Sequence, residues 1–580
     1  MRSSSIHAAL VILTAGCAAS AHAADCADAG LKLPPGFCAS VFADRVGHAR
    51  HLTVAPNGVV YVNTWSGSYF AGEPAAPAGG FIVALEDTTG SGKANVVERF
   101  GPAADAGGHG GTGIAFYRGA VYVEESARIV RYALTAGAIV PQGQPETVVS
   151  GLPLGGDHPM HPFAIDANGM LYVDVASATN SCQSRNRQRE VPGADPCTEL
   201  ETRGGIWRYD ATRTGQKFSR AERYATGIRN ADGIALAADG HSVWATQHGR
   251  DQLHENWPKL YRPEQEATQP AEELLRVSEG ADYGWPECYY DEVQRKLVLA
   301  PEYGGDGGKA VGPCAGKLAP VASFPAHWAP NDLTIYNGSS FPARYRGGAF
   351  IAFHGSWDRA PYPQGGYNVV FQALSAGAAT GRCEVFADGF AGAIKEPGRA
   401  AYRPSGVAVA PDGALFVADD VRGRIWRVVY RGALESGASE SVTPCPPPDA
   451  PAGAVMMASA QPPEGVHADA GHTAAELPVP AGSSRAMVEL GDRIFHGRVA
   501  GATCTGCHGS DGAGTPLGPD LRGKSWLWSD GSYAGISKVI SDGVAQPKQY
   551  RDPMPPMGGA QLTTEQVHAV AAYVWALSHR

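Results

Sequence analysis

A short pattern of apolar and polar positions recurs along the first 430 residues of the chain. In the first copy, Val54–Val62, an apolar pair precedes a turn with glycine, and an alternating strand follows. Further copies begin at Gly113, Phe163, Gly233, Leu333 and Gly406. Most copies are followed by another strand that ends in an aromatic or basic residue, such as Gly205–Tyr209. This pattern predicts one small antiparallel sheet per copy.

Six copies at intervals of about 70 residues indicate a radial repeat. A small sheet cannot bury both of its faces alone, whereas radial stacking buries those faces and leaves only short, protected edges. We therefore predict a mainly β fold with a six-bladed β-propeller, and a pair of β-sandwiches is the alternative. The longest gap between copies, from Trp244 to Phe350, should hold an insertion stapled by Cys288 and Cys314.

The composition changes after residue 430. Residues 431–482 contain the run Pro446–Pro448 and many alanines, glycines and serines, which is typical of a flexible linker. Helical periodicity begins at about Ser483. The sequence thus predicts a propeller domain over residues 24–430, a linker over 431–482 and a small all-α domain over 483–580.

The first 23 residues have the features of a secretory signal peptide. Arg2 precedes the apolar run Ala8–Ala19, and Ala21–Ala23 has the small-x-small pattern of a cleavage site. Cleavage before Cys17, which would leave a lipid anchor, is the alternative. Both readings predict export, so the mature protein should be periplasmic or secreted. No apolar run reaches the roughly 18 residues of a transmembrane helix.

The spacing of the 11 cysteines agrees with export. Eight of them form local couples: Cys26 with Cys38, Cys182 with Cys197, Cys288 with Cys314, and Cys383 with Cys445. Such couples in an exported chain favour disulfides, each worth about 2–4 kcal/mol. Buried free thiols are the alternative, because sequence alone does not fix connectivity.

The net charge of −10 argues against nucleic acid as a partner, since phosphate binding requires a basic face. Against this background, loops that follow the predicted inner strands are rich in His and Arg. These loops contain His109, Asp157-His158, Gln247–Asp251 and His354–Arg359. Loops at one end of the blades converge on the central channel, so the clustered arginines predict an anionic ligand there.

The motif Cys504-Thr-Gly-Cys507-His508 predicts covalent haem attachment. Two thiols add to the haem vinyl groups and the adjacent imidazole ligates the iron. A zinc site would need two more Cys or His ligands at suitable spacing, and none follows. A disulfide between Cys504 and Cys507 is the other alternative.

The region around this motif resembles a small single-haem cytochrome c. Ala486–His496 is an amphipathic segment before the motif, and Thr563–Leu577 is a second one with Thr563 as N-cap and Gln566 completing a capping box. Such cytochromes take their sixth iron ligand from a methionine in a proline-rich loop. The resemblance selects Met554 as that ligand, with Met557 as the alternative. A thioether raises the reduction potential, which suits a carrier of electrons from an organic donor.

The large domain resembles the soluble quinoprotein sugar dehydrogenases, the glucose, aldose and sorbosone dehydrogenase group, which hold pyrroloquinoline quinone (PQQ) in a six-bladed propeller. The resemblance covers roughly residues 33–430. It rests on the strings Asp157-His158, Gly227–Gly233, Gln247–Asp251, Asp282–Pro286, Phe341–Gly348, His354–Arg359 and Arg403–Gly406. Each string alone is weak evidence for the family, but the occurrence of all of them in the same order is specific to it.

The resemblance implies roles for individual residues. His158 matches the general base that takes the proton of the substrate hydroxyl while hydride passes to the quinone C5, and Asp157 matches its acidic neighbour. Arg229 matches the arginine at the quinone carbonyls, and Asn230 matches its polar companion. Arg403 matches an arginine that binds a PQQ carboxylate.

Further positions complete the expected cofactor site. Arg359 is a second candidate for a PQQ carboxylate, and His354 or Ser356 lies near the place of the family's PQQ-binding lysine. Gly249 and Arg250 fall where the family offers backbone carbonyls to the Ca²⁺ that binds PQQ. Ser177 stands where glucose-oxidising members have aspartate, which predicts weaker orientation of His158.

Together these features predict an exported PQQ-dependent dehydrogenase that oxidises a sugar or related alcohol or aldehyde. Electrons should pass from PQQ to haem c and then to an external acceptor, such as a cytochrome, a copper protein or a quinone. Two other functions remain open at this point. One is a calcium-dependent propeller hydrolase, such as a lactonase, and the other is a non-catalytic propeller that docks a cytochrome.

Overall fold

The computed structural model describes residues 29–64, 79–103, 111–432, 443–448, 453, 474 and 477–579. Short gaps within these ranges fall at 155, 185, 188–189, 360–361, 396–399, 496–498, 500–503, 509–511, 513, 515–517, 524, 551–553 and 561. The expected signal peptide, Cys17, Cys26, His109 and most of the expected linker lie outside the described residues. None of the described helices is long and apolar enough to cross a membrane.

The expected six-bladed β-propeller is confirmed, with six mainly antiparallel sheets following one another along the chain. The first blade is β2 (Ala49–Val54), β3 (Val60–Thr64), β4 (Ile82–Glu86) and β5 (Val96–Phe100). The second is β6 (Ile114–Tyr117), β7 (Ala120–Glu125), β8 (Arg128–Ala133) and β9 (Glu146–Ser150). The third is β10 (Phe163–Ile165), β11 (Met170–Val175), β12 (Gly205–Asp210) and β14 (Arg223–Thr226).

The other three blades repeat this order. The fourth is β15 (Ile234–Leu236), β16 (Val243–Gln247), β17 (Glu272–Val277) and β20 (Ala322–Phe324). The fifth is β21 (Pro330–Ile335), β22 (Ala349–Phe353), β23 (Asn368–Gln372) and β26 (Glu384–Ala387). The sixth is β27 (Pro404–Val409), β28 (Leu415–Asp419), β29 (Ile425–Tyr430) and the N-terminal β1 (Phe37–Ala43).

Short elements decorate the blades. Strand β13 (Gln216–Lys217) pairs in parallel with β9, and β30 (Thr443–Pro444) pairs with β26. Two further hairpins are β18 (Cys288–Asp291) with β19 (Lys296–Leu299), and β24 (Leu374–Ser375) with β25 (Ala378–Ala379). The helices of this domain are α1 (Leu253–Asn256), α2 (Pro263–Thr268) and the 3₁₀ turns Thr198–Glu201, Arg220–Glu222, Pro301–Tyr303, Gly312–Gly316 and Ala343–Tyr345.

The hydrophobic cores lie between neighbouring blades. Clusters of buried side chains join each blade to the next, for example Tyr61 with Val121 between the first two blades and Phe350 with Trp426 between the last two. A further cluster joins the sixth blade back to the first through Phe416. The second strand of a blade therefore has apolar neighbours on both faces, and all five residues of β22 are buried.

Strand β1 closes the ring. It pairs antiparallel with β29, so that Phe37 lies opposite Tyr430 and Ala43 opposite Ile425. This pairing gives the sixth blade its outer strand from the opposite end of the domain. The alternating pattern of the sequence predicted the blades but not this long-range pairing, which no local signal encodes.

Three of the expected disulfides are present, joining Cys182 to Cys197, Cys288 to Cys314, and Cys383 to Cys445. Cys38 is also disulfide-bonded. The Cys288–Cys314 bridge staples the expected insertion in the fourth blade, between the β18–β19 hairpin and a following 3₁₀ turn. These bridges fit an oxidising compartment outside the cytoplasm.

The C-terminal region is a small helical domain. Its helices are α3 (Arg485–Phe495), α4 (Cys504–His508), α5 (Tyr533–Asp542) and α6 (Thr564–Ser578), with a 3₁₀ turn at Pro556–Gly559. Helix α3 packs on α6, and a Cβ at Gly491 would lie 2.0 Å from the Ala569 carbonyl oxygen, so this crossing requires glycine. Helix α6 begins with the expected capping box of Thr563 and Gln566.

Candidate functional site: one end of the propeller and a haem pocket

The residues of the expected site lie at one edge of the blades. The inner strands β2, β6, β10, β15, β21 and β27 contact one another around the ring and line the central channel. His158, Asn230 and Arg403 precede inner strands, whereas Gly249 and His354 follow second strands. Inner and second strands are antiparallel, so the start of one and the end of the other share the same end of the channel.

His158 is held in one orientation by Ser177. Its Nδ1 lies 2.9 Å from the Ser177 carbonyl oxygen and 3.0 Å from the Ser177 Oγ, which itself donates to the Thr179 carbonyl. A carbonyl only accepts, so Nδ1 carries the proton and Nε2 keeps its lone pair. Ser177 therefore orients the imidazole through its backbone carbonyl and hydroxyl group, and whether it does so more weakly than an aspartate stays a prediction.

The charge state of His158 follows from its surroundings. Burial, together with the nearby Arg229 guanidinium, lowers the pKa of His158 to about 3. The imidazole is thus neutral over the whole physiological range. A neutral, oriented imidazole with a free Nε2 can accept a proton from a hydroxyl group.

Arg229 is buried at the centre of a set of acceptors. Its guanidinium donates to the carbonyl and the side-chain oxygen of Asn180, to the Gly249 carbonyl at 3.0 Å, and to Asp251 Oδ2 at 2.8 Å. The neighbouring Asn230 is 3% exposed, and no described residue donates to its Oδ1. A buried acceptor without a donor is costly, so the expectation that Asn230 contacts a ligand is compatible with its surroundings.

Asp157, the neighbour of His158, is linked through Arg187 to Asp251, the carboxylate that pairs with Arg229. Its carboxylate accepts from Asn186 at 2.9 Å and from Arg187 at 3.0 Å, and Arg187 also pairs with Asp251. Burial opposes the ionisation of Asp251, but Arg229 and Arg187 hold its pKa below the usual range. Asn180, Asn186 and Arg187 were not among the residues expected at this site. Their available signal was a polar loop close to the Cys182–Cys197 couple.

Gly249 and Arg250 line a cavity that Arg229 also lines, together with Ser181, His248 and Trp285. The Gly249 carbonyl accepts from Arg229, and the Arg250 side chain turns to both Glu302 oxygens at 2.6 Å. Only the backbone of Arg250 is therefore left for a ligand.

His354 and Arg403 form a second group at the same end. The Nε2 of His354 lies 2.8 Å from Asp420 Oδ1, and Asp420 also pairs with Arg50. Arg403 donates to the carbonyls of His354 and Gly355, and its guanidinium lies over the Tyr367 ring. The Ser356 hydroxyl donates to Gln364 at 2.6 Å.

Arg359 is placed differently from the other expected site residues. Its guanidinium donates to the backbone carbonyls of Ala267, Ala326 and Pro363. These contacts anchor the segment after β22 and surround the guanidinium with backbone acceptors.

An apolar cavity opens beside α4. It is lined by Cys504, Cys507 and His508, and by both candidate methionines, Met554 and Met557. His508 Nδ1 lies 3.0 Å from the Pro519 carbonyl, so Nδ1 carries the proton and Nε2 is free to ligate iron. The two thiols are not joined to each other, and burial raises the pKa of Cys504 to about 12. These residues fit a covalently bound haem.

Solved structures resemble the larger part of this chain. The structure of the carbohydrate-active enzyme family AA12 protein from Trichoderma reesei superposes with a TM-score of 0.53, 18% identity and coverage of 69% of this chain and 98% of that chain. The PQQ domain of pyranose dehydrogenase from Coprinopsis cinerea superposes with a TM-score of 0.52, 17% identity and coverage of 69% and 97%. At this level of identity, the likeness shows the fold.

Curated relatives match parts of the chain. An uncharacterised protein of Borreliella burgdorferi is 26% identical over 225 residues, which cover 37% of this chain and 50% of that protein. The cbb3-type cytochrome c oxidase subunit FixP of Rhizobium etli is 37% identical over 79 residues, which cover 13% of this chain and 27% of that protein. The chain thus spans half or less of the length of the curated relatives it matches.

Family comparison covers both domains. Residues 488–578 match the cytochrome c family, which implies a haem c, and residues 31–431 match the TrAA12-like family. The expected likeness to PQQ sugar dehydrogenase propellers fused to a cytochrome c domain is thereby confirmed. Because the longer match covers well over half of the sequence, the chain belongs to the TrAA12-like family and carries a cytochrome c domain at its C-terminal end.

Proposed function

We propose that this chain is a PQQ-dependent dehydrogenase that oxidises a sugar or a related alcohol or aldehyde and passes the electrons to its own haem. The observation that carries the proposal is the neutral His158 imidazole near the buried guanidinium of Arg229, with an Nε2 that has no hydrogen-bond partner among the described residues. A base beside a fixed cation suits the oxidation of an alcohol. The attached cytochrome c domain would serve as the acceptor of the electrons removed from the substrate.

The residues at this end of the propeller fit PQQ, which is a planar tricarboxylate. Arg229 and Arg403 offer guanidinium groups for its oxygens, and Asn230 offers a buried amide. Backbone carbonyls at Gly249 and Arg250 are hard donors of the kind that Ca²⁺ prefers. Arg359 and His354 are further candidates for contact. When bound, PQQ would accept a hydride from the substrate carbon.

The protein's own groups then have distinct tasks. His158 Nε2 takes the hydroxyl proton, and Ser177 keeps the imidazole in the tautomer that allows it. Arg229 stabilises negative charge as it develops, in a site from which bulk water is largely excluded. Asp157 is a positioning residue, because its contacts to Asn186 and Arg187 hold the loop that carries His158.

The cytochrome c domain would carry electrons away one at a time. Cys504 and Cys507 would hold the haem, and His508 and Met554 would ligate its iron. An external acceptor, such as a cytochrome, a copper protein or a quinone, would reoxidise it. The protein would work in the periplasm or outside the cell, where disulfides persist.

The test is reconstitution of the full chain with PQQ and Ca²⁺, followed by addition of candidate sugars under anaerobic conditions. Haem absorption reports electron arrival. Haem reduction that requires PQQ, Ca²⁺ and substrate together supports the proposal. Turnover of a lactone without haem reduction would instead identify a hydrolase. No reaction with any substrate class would favour a non-catalytic propeller.

The pH profile offers a second check on the base. We expect kcat/KM for haem reduction to stay level from pH 7 down to about pH 5, because the pKa of His158 is lowered to about 3. A solvent-exposed imidazole has a pKa of about 6.5 and would lose activity tenfold per pH unit below that value. Stopped-flow reduction of haem at low substrate concentration measures the profile. A decline centred on pH 6.5 would contradict the burial argument.

Substitution of the methionines should separate the two candidate haem ligands. We expect Met554→Ala to convert the oxidised haem from low spin to high spin and to lower its midpoint potential, since loss of a thioether ligand removes stabilisation of the ferrous state. Met557→Ala is the matched control and should leave both properties nearly unchanged. Optical spectra and redox titration of the full chain measure them, and the reverse pattern would assign Met557.

A further inference from the structure

Two carboxylates and an imidazole converge where the fourth and fifth blades meet. Potential ligand atoms of Asp251, His327 and Asp358 all lie within 4.8 Å of one another. Asp251 follows β16, His327 precedes β21, and Asp358 follows β22. His327 and Asp358 are 5% and 2% exposed, so the cluster is an interior feature and not a solvated acidic patch.

The hydrogen bonds of His327 settle which of its nitrogens faces the cluster. Nε2 lies 2.8 Å from the Glu266 carbonyl oxygen and 3.0 Å from the Gln269 carbonyl oxygen. Both partners can only accept, so Nε2 carries the proton. Nδ1 therefore presents a lone pair, and it lies 3.7 Å from Asp358 Oδ2. A lone pair that faces a carboxylate oxygen is repulsive unless a proton or cation lies between them.

Asp358 supplies a second, independent observation. Its Oδ2 accepts from the Gln252 backbone N–H at 2.8 Å, whereas its buried Oδ1 receives no hydrogen bond from any described residue. A buried carboxylate oxygen without a donor carries a full desolvation cost. This unsatisfied oxygen belongs to one of the three converging side chains.

The local charge balance favours a cation. Five carboxyl groups lie close together in this part of the propeller, those of Asp157, Asp251, Glu255, Glu266 and Asp358. The described ion pairs of this group join Asp157 and Asp251 to Arg187, and Asp251 to Arg229. Protons on some of the carboxyl groups or a bound cation would restore neutrality. A proton shared by Asp358 and His327 would satisfy the His327 lone pair alone, whereas a cation would satisfy it together with the carboxylates of Asp251 and Asp358.

We propose that Asp251, His327 and Asp358 bind a divalent transition metal of the Zn²⁺ or Mn²⁺ type. An imidazole nitrogen with two carboxylates suits such ions, whereas Ca²⁺ prefers all-oxygen sites such as the Gly249 and Arg250 carbonyls. Ligands at about 2.1 Å from one metal lie roughly 3.4 Å apart in a tetrahedral arrangement, so small side-chain rotations close the observed cluster.

This metal would also act on the proposed catalytic end, a consequence that rests on the proposed function. Asp251 Oδ2 accepts from Arg229, so a metal on Asp251 would fix the carboxylate that positions this guanidinium. The site itself needs no PQQ, and its binding can be measured without activity. Failure of the metal site and failure of the dehydrogenase proposal are therefore distinguishable.

The test uses the full chain with its haem, stripped of other metals by a chelator and kept free of PQQ. Isothermal titration with Zn²⁺ alone should show a site that His327→Gln and Asp358→Asn each weaken by at least about a hundredfold, since even outer-shell changes cost 10- to 100-fold. Crystals soaked in Zn²⁺ should show anomalous density between Asp251 and His327. Circular dichroism and the haem spectrum establish that each variant is folded.

Two control variants test whether Zn²⁺ binds at Asp251, His327 and Asp358 and not at a neighbouring group. Glu266→Gln alters the adjacent triad of Glu255, Glu266 and Asp358, and His248→Gln removes a partly buried imidazole outside both triads. Both should retain the Zn²⁺ site. Absence of this site in the unaltered chain, its loss in Glu266→Gln but not in His327→Gln, or tighter binding of Ca²⁺ than of Zn²⁺ and Mn²⁺ would each overturn the proposal. If Asp358→Asn does not fold, His327→Gln and the anomalous density decide.

Discussion

Replacement of His158 by glutamine should slow substrate-dependent haem reduction by about 10²–10⁴-fold, the usual contribution of a general base. Glutamine can still hydrogen-bond to Ser177, but it has no lone-pair nitrogen with which to accept the substrate proton. Affinity for PQQ should change little, because the arginines and the amide of Asn230 remain. Stopped-flow spectroscopy of the haem band, with PQQ and Ca²⁺ saturating, measures the rate.

The matched control for this variant is His248→Gln. His248 is also a neutral imidazole at the same end of the channel; it is partly buried, and desolvation lowers its pKa to about 3. Its Nε2, however, lies 3.2 Å from the Pro330 carbonyl, so that nitrogen donates to the backbone and is not free as a base. We expect near-normal rates in the control. Equal losses in both variants would show that the assignment of His158 is wrong.

Much of the fold could be predicted because each blade has a recognisable pattern within a short stretch of sequence. Turns such as Asn57-Gly58 separate short strands, and apolar positions such as those of Val60–Val62 recur in each copy. The haem site could be predicted too, because its thiols and imidazole lie within five consecutive residues, Cys504–His508. In both cases the residues that define the element lie close together in the sequence, so a local pattern is enough to predict it.

Contacts between segments that are distant in the sequence could not be predicted from such local patterns. The pairing of β1 with β29 joins positions nearly 400 residues apart, as Arg424 and Asp44 illustrate with a sequence separation of 380. Arg187 and Asn180 enter the site from a loop whose conformation depends on Asp157 and Asp251. Likewise, the described hydrogen-bond partners of Arg359 could not be predicted from its neighbours in sequence, because its guanidinium contacts the carbonyls of Ala267 and Ala326 in other segments of the chain.

Replacement of Arg229 by glutamine should lower kcat/KM for haem reduction by about 10²–10³-fold, comparable to the loss of one preorganised donor at a site of developing charge. Glutamine removes the fixed positive charge. The neighbouring Asn230 amide is neutral and does not replace that charge. PQQ should also bind less tightly, which titration of the apo chain with PQQ measures separately from the rate.

Arg229→Lys distinguishes charge from geometry at the same position. Lysine keeps the positive charge, but one ammonium group cannot reach Asn180, Gly249 and Asp251 together as the guanidinium does. We therefore expect a rate between those of the glutamine variant and the unaltered chain. Full activity in Arg229→Lys would show that charge alone matters at this position.

Stability needs its own control, because Arg229 belongs to a buried ion pair. Removal of one partner from such a pair costs roughly 3–5 kcal/mol, although Arg187 still pairs with Asp251. Arg208→Gln, which breaks the exposed pair with Glu279 on the third blade, should leave both rate and stability nearly unchanged. Thermal unfolding by circular dichroism then separates the two effects. If Arg229→Gln is folded at the assay temperature and still reduces haem at the normal rate, the guanidinium has only a structural role.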